Sequence, residues 1–220
     1  MTMPIQNTSP RGPFARASIA ALLCLGAASA SAGEFYAVGA LGQTNADLDK
    51  AAIDREIIAA GATTMRSALD KRDTAFKAAL GYRVNPYVAV EGGYVDLGRA
   101  KYAATATQGR AESELEARGV QLSALGILPL NDAFSVFGKI GTIHAKVKGS
   151  ARVSVPVLGS FAGSIDASNW KTAIGAGAEY RFDRRWGVRA EYERFRKLGD
   201  ADRTGETDVD AVTVGVVMRF

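Results

Sequence analysis

Cysteine is all but missing from this sequence: Cys24 is the only one in 220 residues, and histidine is equally scarce, with His144 alone. A single thiol excludes a disulfide framework and a multi-cysteine metal site, and a single imidazole excludes a histidine-rich one. Proline is rare, six residues, whereas glycine is plentiful at 24. Long apolar runs are absent too: none reaches the ~18 residues that identify a membrane-spanning helix. Mean hydropathy is −0.01. No glycine-rich phosphate loop stands in strand–turn–helix context, and no cluster of metal-ligand residues is spaced for coordination, so no cofactor is expected.

The first charges are Arg11 and Arg16, and none follows until Glu34. An apolar stretch from Ala17 to Ala28 comes next, then Ala28-Ser29-Ala30 and Ala30-Ser31-Ala32, two small-residue patterns at cleavage-site spacing. Residues 1–32 therefore read as a secretory signal peptide, with residues 33–220 as the mature domain; cleavage after Ala30 is the alternative. Leu23 before Cys24 is not the small residue that lipidation requires, so no thiol is expected to remain. The whole chain carries 27 basic and 23 acidic residues; without Arg11 and Arg16 the balance is 25 to 23, a net charge of +2. That is too even to indicate nucleic acid as a partner.

Beyond the leader, period-two alternation recurs in eight segments, 34–44, 73–84, 87–97, 114–128, 133–147, 165–182, 186–197 and 208–220. Asn85-Pro86, Pro129-Leu130-Asn131-Asp132 and Asp183-Arg184-Arg185 supply turn chemistry at three tight joins. The other joins, 45–72, 98–113, 148–164 and 198–207, are longer, and residues 46–60 carry helix formers with Leu48, Ala52, Ile53, Ile57 and Ala60 on one face. Short and long joins alternate, as they do in outer-membrane barrels with short periplasmic turns and long external loops. In the last strand Val212, Val214, Val216, Met218 and Phe220 share a face opposite Ala211, Thr213, Gly215, Val217 and Arg219. Tyr82, Tyr94, Trp170, Tyr180, Phe182 and Phe220 fall near strand ends on the apolar face, where interfacial aromatic girdles belong. The expected fold is all-β: an eight-stranded antiparallel up-and-down transmembrane β-barrel, monomeric, in the bacterial outer membrane. A soluble lipocalin-like barrel is the competing architecture, and it requires the apolar residues to face inward.

The same segments carry a family resemblance. Asp73-Thr74-Ala75-Phe76-Lys77, then ALGYRVNPYVAVEGGYVDLG from Ala79, RGVQLSALGILPLND from Arg118, FGKIGTIHAKV from Phe137, GAGAEYRFDRRWGVRAEYERF from Gly175 and VTVGVVMRF from Val212 together resemble the membrane domain of OmpA-like outer-membrane proteins. The resemblance implies a chain surrounded by outer-membrane lipid and lipopolysaccharide and inserted by an assembly machinery that reads Phe220. It also implies a barrel-only member, without the peptidoglycan-binding domain that full-length relatives carry.

Parity points seven charges into the lumen: Lys77, Arg83, Glu91, Lys139, Glu179, Arg189 and Glu191. Buried charges require partners, so these are expected to form a salt-bridged plug or line a wet passage. In the resembled family an inward Glu and Arg form part of a switchable gate. Glu179 and Arg189 match those positions, and Glu91 and Lys139 match inward acidic and basic ones. Leu125 stands where the family has an inward Lys, which removes one partner from that gate. The expected function is an envelope-structural role with minor small-solute pore activity; the alternative is surface adhesion or ligand binding through the four long joins. Catalysis is not expected: His144 has Ser150 and Ser154 near it in sequence, which does not make a triad.

Overall fold

The computed structural model describes residues 33–59, 66–107, 109–156, 159–200 and 205–220. The expected leader, 1–32, lies outside them. Among the described residues, nine strands and one helix follow in chain order: β1 (Glu34–Ala46), α1 (Lys50–Ala59), β2 (Arg66–Asp70), β3 (Arg72–Asn85), β4 (Val88–Ala106), β5 (Gly109–Pro129), β6 (Phe134–Val155), β7 (Gly159–Arg181), β8 (Trp186–Asp200) and β9 (Gly205–Arg219). All pairings are antiparallel. Each strand from β3 to β9 pairs with the next, and β1 joins β3 to β9, closing a ring of eight. The ninth strand, β2, lies within the segment expected to be the first long loop; it pairs with the far end of β4 and continues the line of β3.

The three tight turns are built by the residues that announced them. Asn85 Oδ1 accepts from the Tyr87 amide at 2.8 Å, Asn131 Oδ1 from Ala133 and Phe134 at 2.9 and 2.8 Å, and Asp183 Oδ1 from Arg185 and Trp186 at 2.7 Å each. A short polar side chain thus replaces the backbone partner that each reversal removes.

Alternation is inside-out relative to a soluble protein. On β9, Val212, Val214 and Val216 are exposed, while Val209, Ala211, Thr213, Val217 and Arg219 are buried. Leu41, Leu122, Ile140 and Trp170 are each more than 60% exposed on the outer wall. Every such side chain would gain about 1.5–3 kcal/mol on leaving water, so this wall is made to face lipid, and the lipocalin-like reading fails. Aromatics gather toward both ends of the belt. At the short-turn end lie Phe35, Tyr82, Tyr87, Tyr180, Phe182, Trp186 and Phe220, with the Phe35 and Tyr82 rings 4.8 Å apart. Toward the other end, Tyr94, Val120, His144 and Trp170 are cross-strand neighbours in a single row.

Two joins expected to be loops are sheet. β4 and β5 remain paired to Ala106↔Gly109, and β6 and β7 to Val155↔Gly159. At 22 and 23 residues, β6 and β7 are about twice the length needed to cross a bilayer, roughly 9–11 residues. Their outer halves, with those of β4 and β5, form a curved sheet that projects past the barrel. Residues 98–113 and 148–164 are therefore mostly strand, and 198–207 is strand at both ends. Bulges mark two of the departures. Gly98 (φ 71°) donates its amide to Asp96 Oδ1 at 2.9 Å in β4, and Lys197 (φ 53°) donates to Asp208 Oδ1 at 2.8 Å in β8.

Helix α1 forms within the helix-former stretch, from Lys50 to Ala59. Asp49 caps it, accepting from the Ala51 and Ala52 amides at 2.9 and 3.2 Å. None of its residues is buried. It is held by polar contacts instead: Asp54 accepts from Lys50 at 2.6 Å, Ser67 at 2.8 Å and Tyr102 at 2.7 Å. These donors hold the Asp54 carboxyl well below the usual carboxylate range, at about 2, the Lys50 contact contributing most.

Candidate functional site

Inward positions alternate with lipid-facing ones along every strand, so the lumen is filled from all eight walls. Among the described residues, four cations (Lys77, Lys139, Arg189, Arg219) and four carboxylates (Glu91, Glu179, Glu191, Glu193) are buried there, a neutral set. They form one connected chain. Lys77 Nζ donates to Glu191 at 2.7 Å and Glu193 at 2.5 Å. Lys139 Nζ lies 3.1, 2.9 and 3.2 Å from Glu91, Glu191 and Glu193. Gln121 Nε2 donates to Glu193 at 2.7 Å and the Tyr36 hydroxyl to Glu91 at 2.9 Å. Arg189 donates through Nε and Nη2 to Glu179 Oε2, at 3.0 and 2.8 Å, and through Nη1 to Glu91. Arg219 Nη2 donates to the other Glu179 oxygen, which links the chain to the short-turn end.

Isolated charges in such surroundings would each cost several kcal/mol, roughly, and here the cost is offset by pairing nearly every one of them more than once. The Arg189 guanidinium also lies over two rings, 4.8 Å from the centroid of Phe137 and 5.4 Å from that of Tyr36. Both rings need glycine opposite them. A Cβ at Gly81 would stand 2.2 Å from the Tyr36 ring, and one at Gly177 would stand 2.4 Å from Phe137.

Six of the seven expected lumen residues are in this chain: Lys77, Glu91, Lys139, Glu179, Arg189 and Glu191. Arg83 is not; it is half-buried at the short-turn mouth and makes no ion pair among the described residues. Glu193 and Arg219 are in the chain though sequence reasoning left them out of the site. The signal was available: Glu193 stands two residues past Glu191 with the same parity, and Arg219 is already on the lumen side of the last strand. Leu125 is buried just below the ionic layer, packed with Tyr36, Val38, Ala89, Ile127, Phe137 and Val217. A second apolar layer lies above, made by Val95, Leu97, Ile143, Ala173, Phe195, Leu198 and Val209. Lys77, Glu91, Lys139, Glu191 and Glu193 lie between the two layers, and Arg189 with Glu179 carries the network past the lower one to Arg219. His144 faces outward with its ring 5.0 Å from Trp170, and Ser168 Oγ lies 3.3 Å from its Nε2; Ser150 pairs several residues farther along β5 and β7.

A lipid-facing ring of eight antiparallel strands, aromatic at both edges and polar within, defines an outer-membrane β-barrel. Residues 30–220 match the family model of the OmpA-like transmembrane domain, and the chain belongs to that family. It is 32% identical over 146 residues to outer membrane protein A of Yersinia pseudotuberculosis, which covers 64% of this chain and 38% of that protein. Outer membrane protein A of Salmonella typhi is 32% identical over 145 residues, with the same coverage. The chain thus spans well under half the length of these curated relatives. Among solved structures, Neisserial surface protein A superposes with a TM-score of 0.51 at 13% identity, covering 86% of this chain and 98% of that one, a likeness of fold. The protein is accordingly placed in the bacterial outer membrane.

Proposed function

We propose that this protein serves the outer membrane as a structural barrel whose lumen is closed at rest. The carrying observation is the ionic layer of Lys77, Glu91, Lys139, Glu191 and Glu193 between two buried apolar layers. A water-filled pore would leave charges such as Lys139 and Glu191 solvated; here each is 5% exposed or less. Conduction of small solutes would require Arg189 and Lys139 to exchange partners together, so openings are small and intermittent. Outer-membrane lipid and lipopolysaccharide surround the belt, the protein works as a monomer, and Phe220 serves as the signal to the assembly machinery. In support of that last role, Phe220 is exposed, and its amide donates to the Phe35 carbonyl at 3.0 Å, fixing it beside the first strand.

A second reading, surface adhesion or ligand binding, is favoured by the projecting sheet of β4 to β7. Its inner face leaves Val153, Phe161 and Ile165 43%, 63% and 52% exposed, beside a groove of about 610 Å³. One experiment separates the two. Deleting the gene should raise detergent sensitivity of the cells, and a variant trimmed of residues 150–164 should restore resistance. Failure of the trimmed variant, with restoration by the full chain, would move the function to the projecting sheet.

A further inference from the structure

At the short-turn mouth, below the lower apolar layer, a cavity of about 40 Å³ is lined by Arg83, Arg181, Arg219, Glu179, Asn131 and Asp132, among others. Arginines from three strands line it, Arg83 of β3, Arg181 of β7 and Arg219 of β9. Of the two carboxylates that line it, Glu179 is already in use. Glu179 accepts from both Arg189 and Arg219. Asp132 takes Arg181 Nη2 on its backbone carbonyl and makes no ion pair among the described residues. Glu34 is only 3.8 Å from Arg219 Nε, at the rim. The Arg219 side chain is 4% exposed, yet its Nη1 is buried with no hydrogen-bond partner. A charged donor left without a partner in a buried site costs more than a neutral one, and such groups are rare unless something occupies the space beside them.

We infer that this cavity is an anion site that takes a single phosphate group, held by Arg219 from within and by Arg83 and Arg181 from either side. Guanidinium forks match the geometry of phosphate oxygens, and three of them around one small space are otherwise mutually repulsive. The phosphate would come either from solution or from a phospholipid headgroup in the leaflet at the short-turn end. The site lies below the Lys77–Glu91–Lys139–Glu191 layer and touches it only through Glu179, which Arg189 and Arg219 share.

The test is urea unfolding of the refolded full chain in maltoside micelles, with inorganic phosphate exchanged against sodium chloride at constant ionic strength. Phosphate should raise the unfolding midpoint of the wild type in a saturable way, and the rise should fall at least by half in Arg83→Gln and vanish in Arg83→Gln/Arg181→Gln. Arg83→Gln alone removes no hydrogen bond to a described residue, so its folding is not at issue. Repeating the titration in phosphatidylglycerol vesicles separates the sources. If inorganic phosphate no longer shifts the wild type while its advantage over Arg83→Gln persists, the headgroup fills the site; if the shift remains, free phosphate does. Equal midpoints in phosphate and chloride in micelles, or the same rise in the double variant, would overturn the inference and leave water as the partner of Arg219 Nη1.

Discussion

Lys139 sits at the junction of three carboxylates from two walls of the barrel, β4 and β8. Removing one member of a buried ion cluster leaves the others uncompensated, which typically costs about 3–5 kcal/mol. Lys139→Met should therefore lower stability by that order, read as the urea midpoint of the protein refolded into lipid vesicles. Adding Glu191→Gln, which restores charge neutrality, should recover part of the loss. A Lys139→Met variant as stable as wild type would show that the cluster is hydrated rather than sealed. A weaker effect belongs to the turns: Asn131→Ala and Asp183→Ala each remove two short hydrogen bonds to backbone amides. Because those turns are exposed, each should cost only about 1 kcal/mol by the same assay.

Among the elements, α1 is held mainly through the Asp54 carboxylate, with Lys50 also donating to Ser67 Oγ at 2.6 Å. The carboxyl of Asp54 is lowered to about 2 by Lys50, Ser67 and Tyr102. A depressed carboxyl contributes attachment that is complete above its free value near 4 and is lost as pH falls through about 2. Amide-exchange protection over residues 51–59 should accordingly persist at pH 5 and disappear below pH 2, and Asp54→Asn should weaken it at neutral pH. Protection that is independent of pH, or unchanged in Asp54→Asn, would show that packing of Leu48 and its neighbours holds the helix instead. The elements also show how far pattern reading reached. Strands crossing the membrane were legible to within a few residues, because lipid on one side and polar lumen on the other give each wall strong contrast. The outer halves of β4 to β7 were not. Along Ser150-Ala151-Arg152-Val153-Ser154-Val155 alternation continues, but with small residues and water on both sides its contrast fades, and Ser, Gly and Ala read as loop. In the lumen, parity pointed to six members of the network but also to Arg83, which lies at the mouth, and it left out Glu193 and Arg219; which carboxylate meets which cation depends on strand stagger around the ring, and no single strand carries that information.

Considered whole, the barrel divides into a membrane part whose lumen is filled by buried side chains and a projecting sheet that continues four of its strands. The ion cluster, both apolar layers and the three tight turns all lie within the ring. Trimming residues 150–164 should leave folding intact, seen as the faster mobility of unheated barrel on denaturing gels and its shift on boiling. The most direct test of the account is single-channel recording of the refolded barrel domain, residues 33–220, in a planar bilayer. The structure predicts a barrel that is silent for most of the record, with small brief openings that lengthen when Glu179→Gln or Arg189→Gln weakens the network. Steady, large openings in the wild type, unchanged by either substitution, would contradict a lumen closed by its own ion pairs.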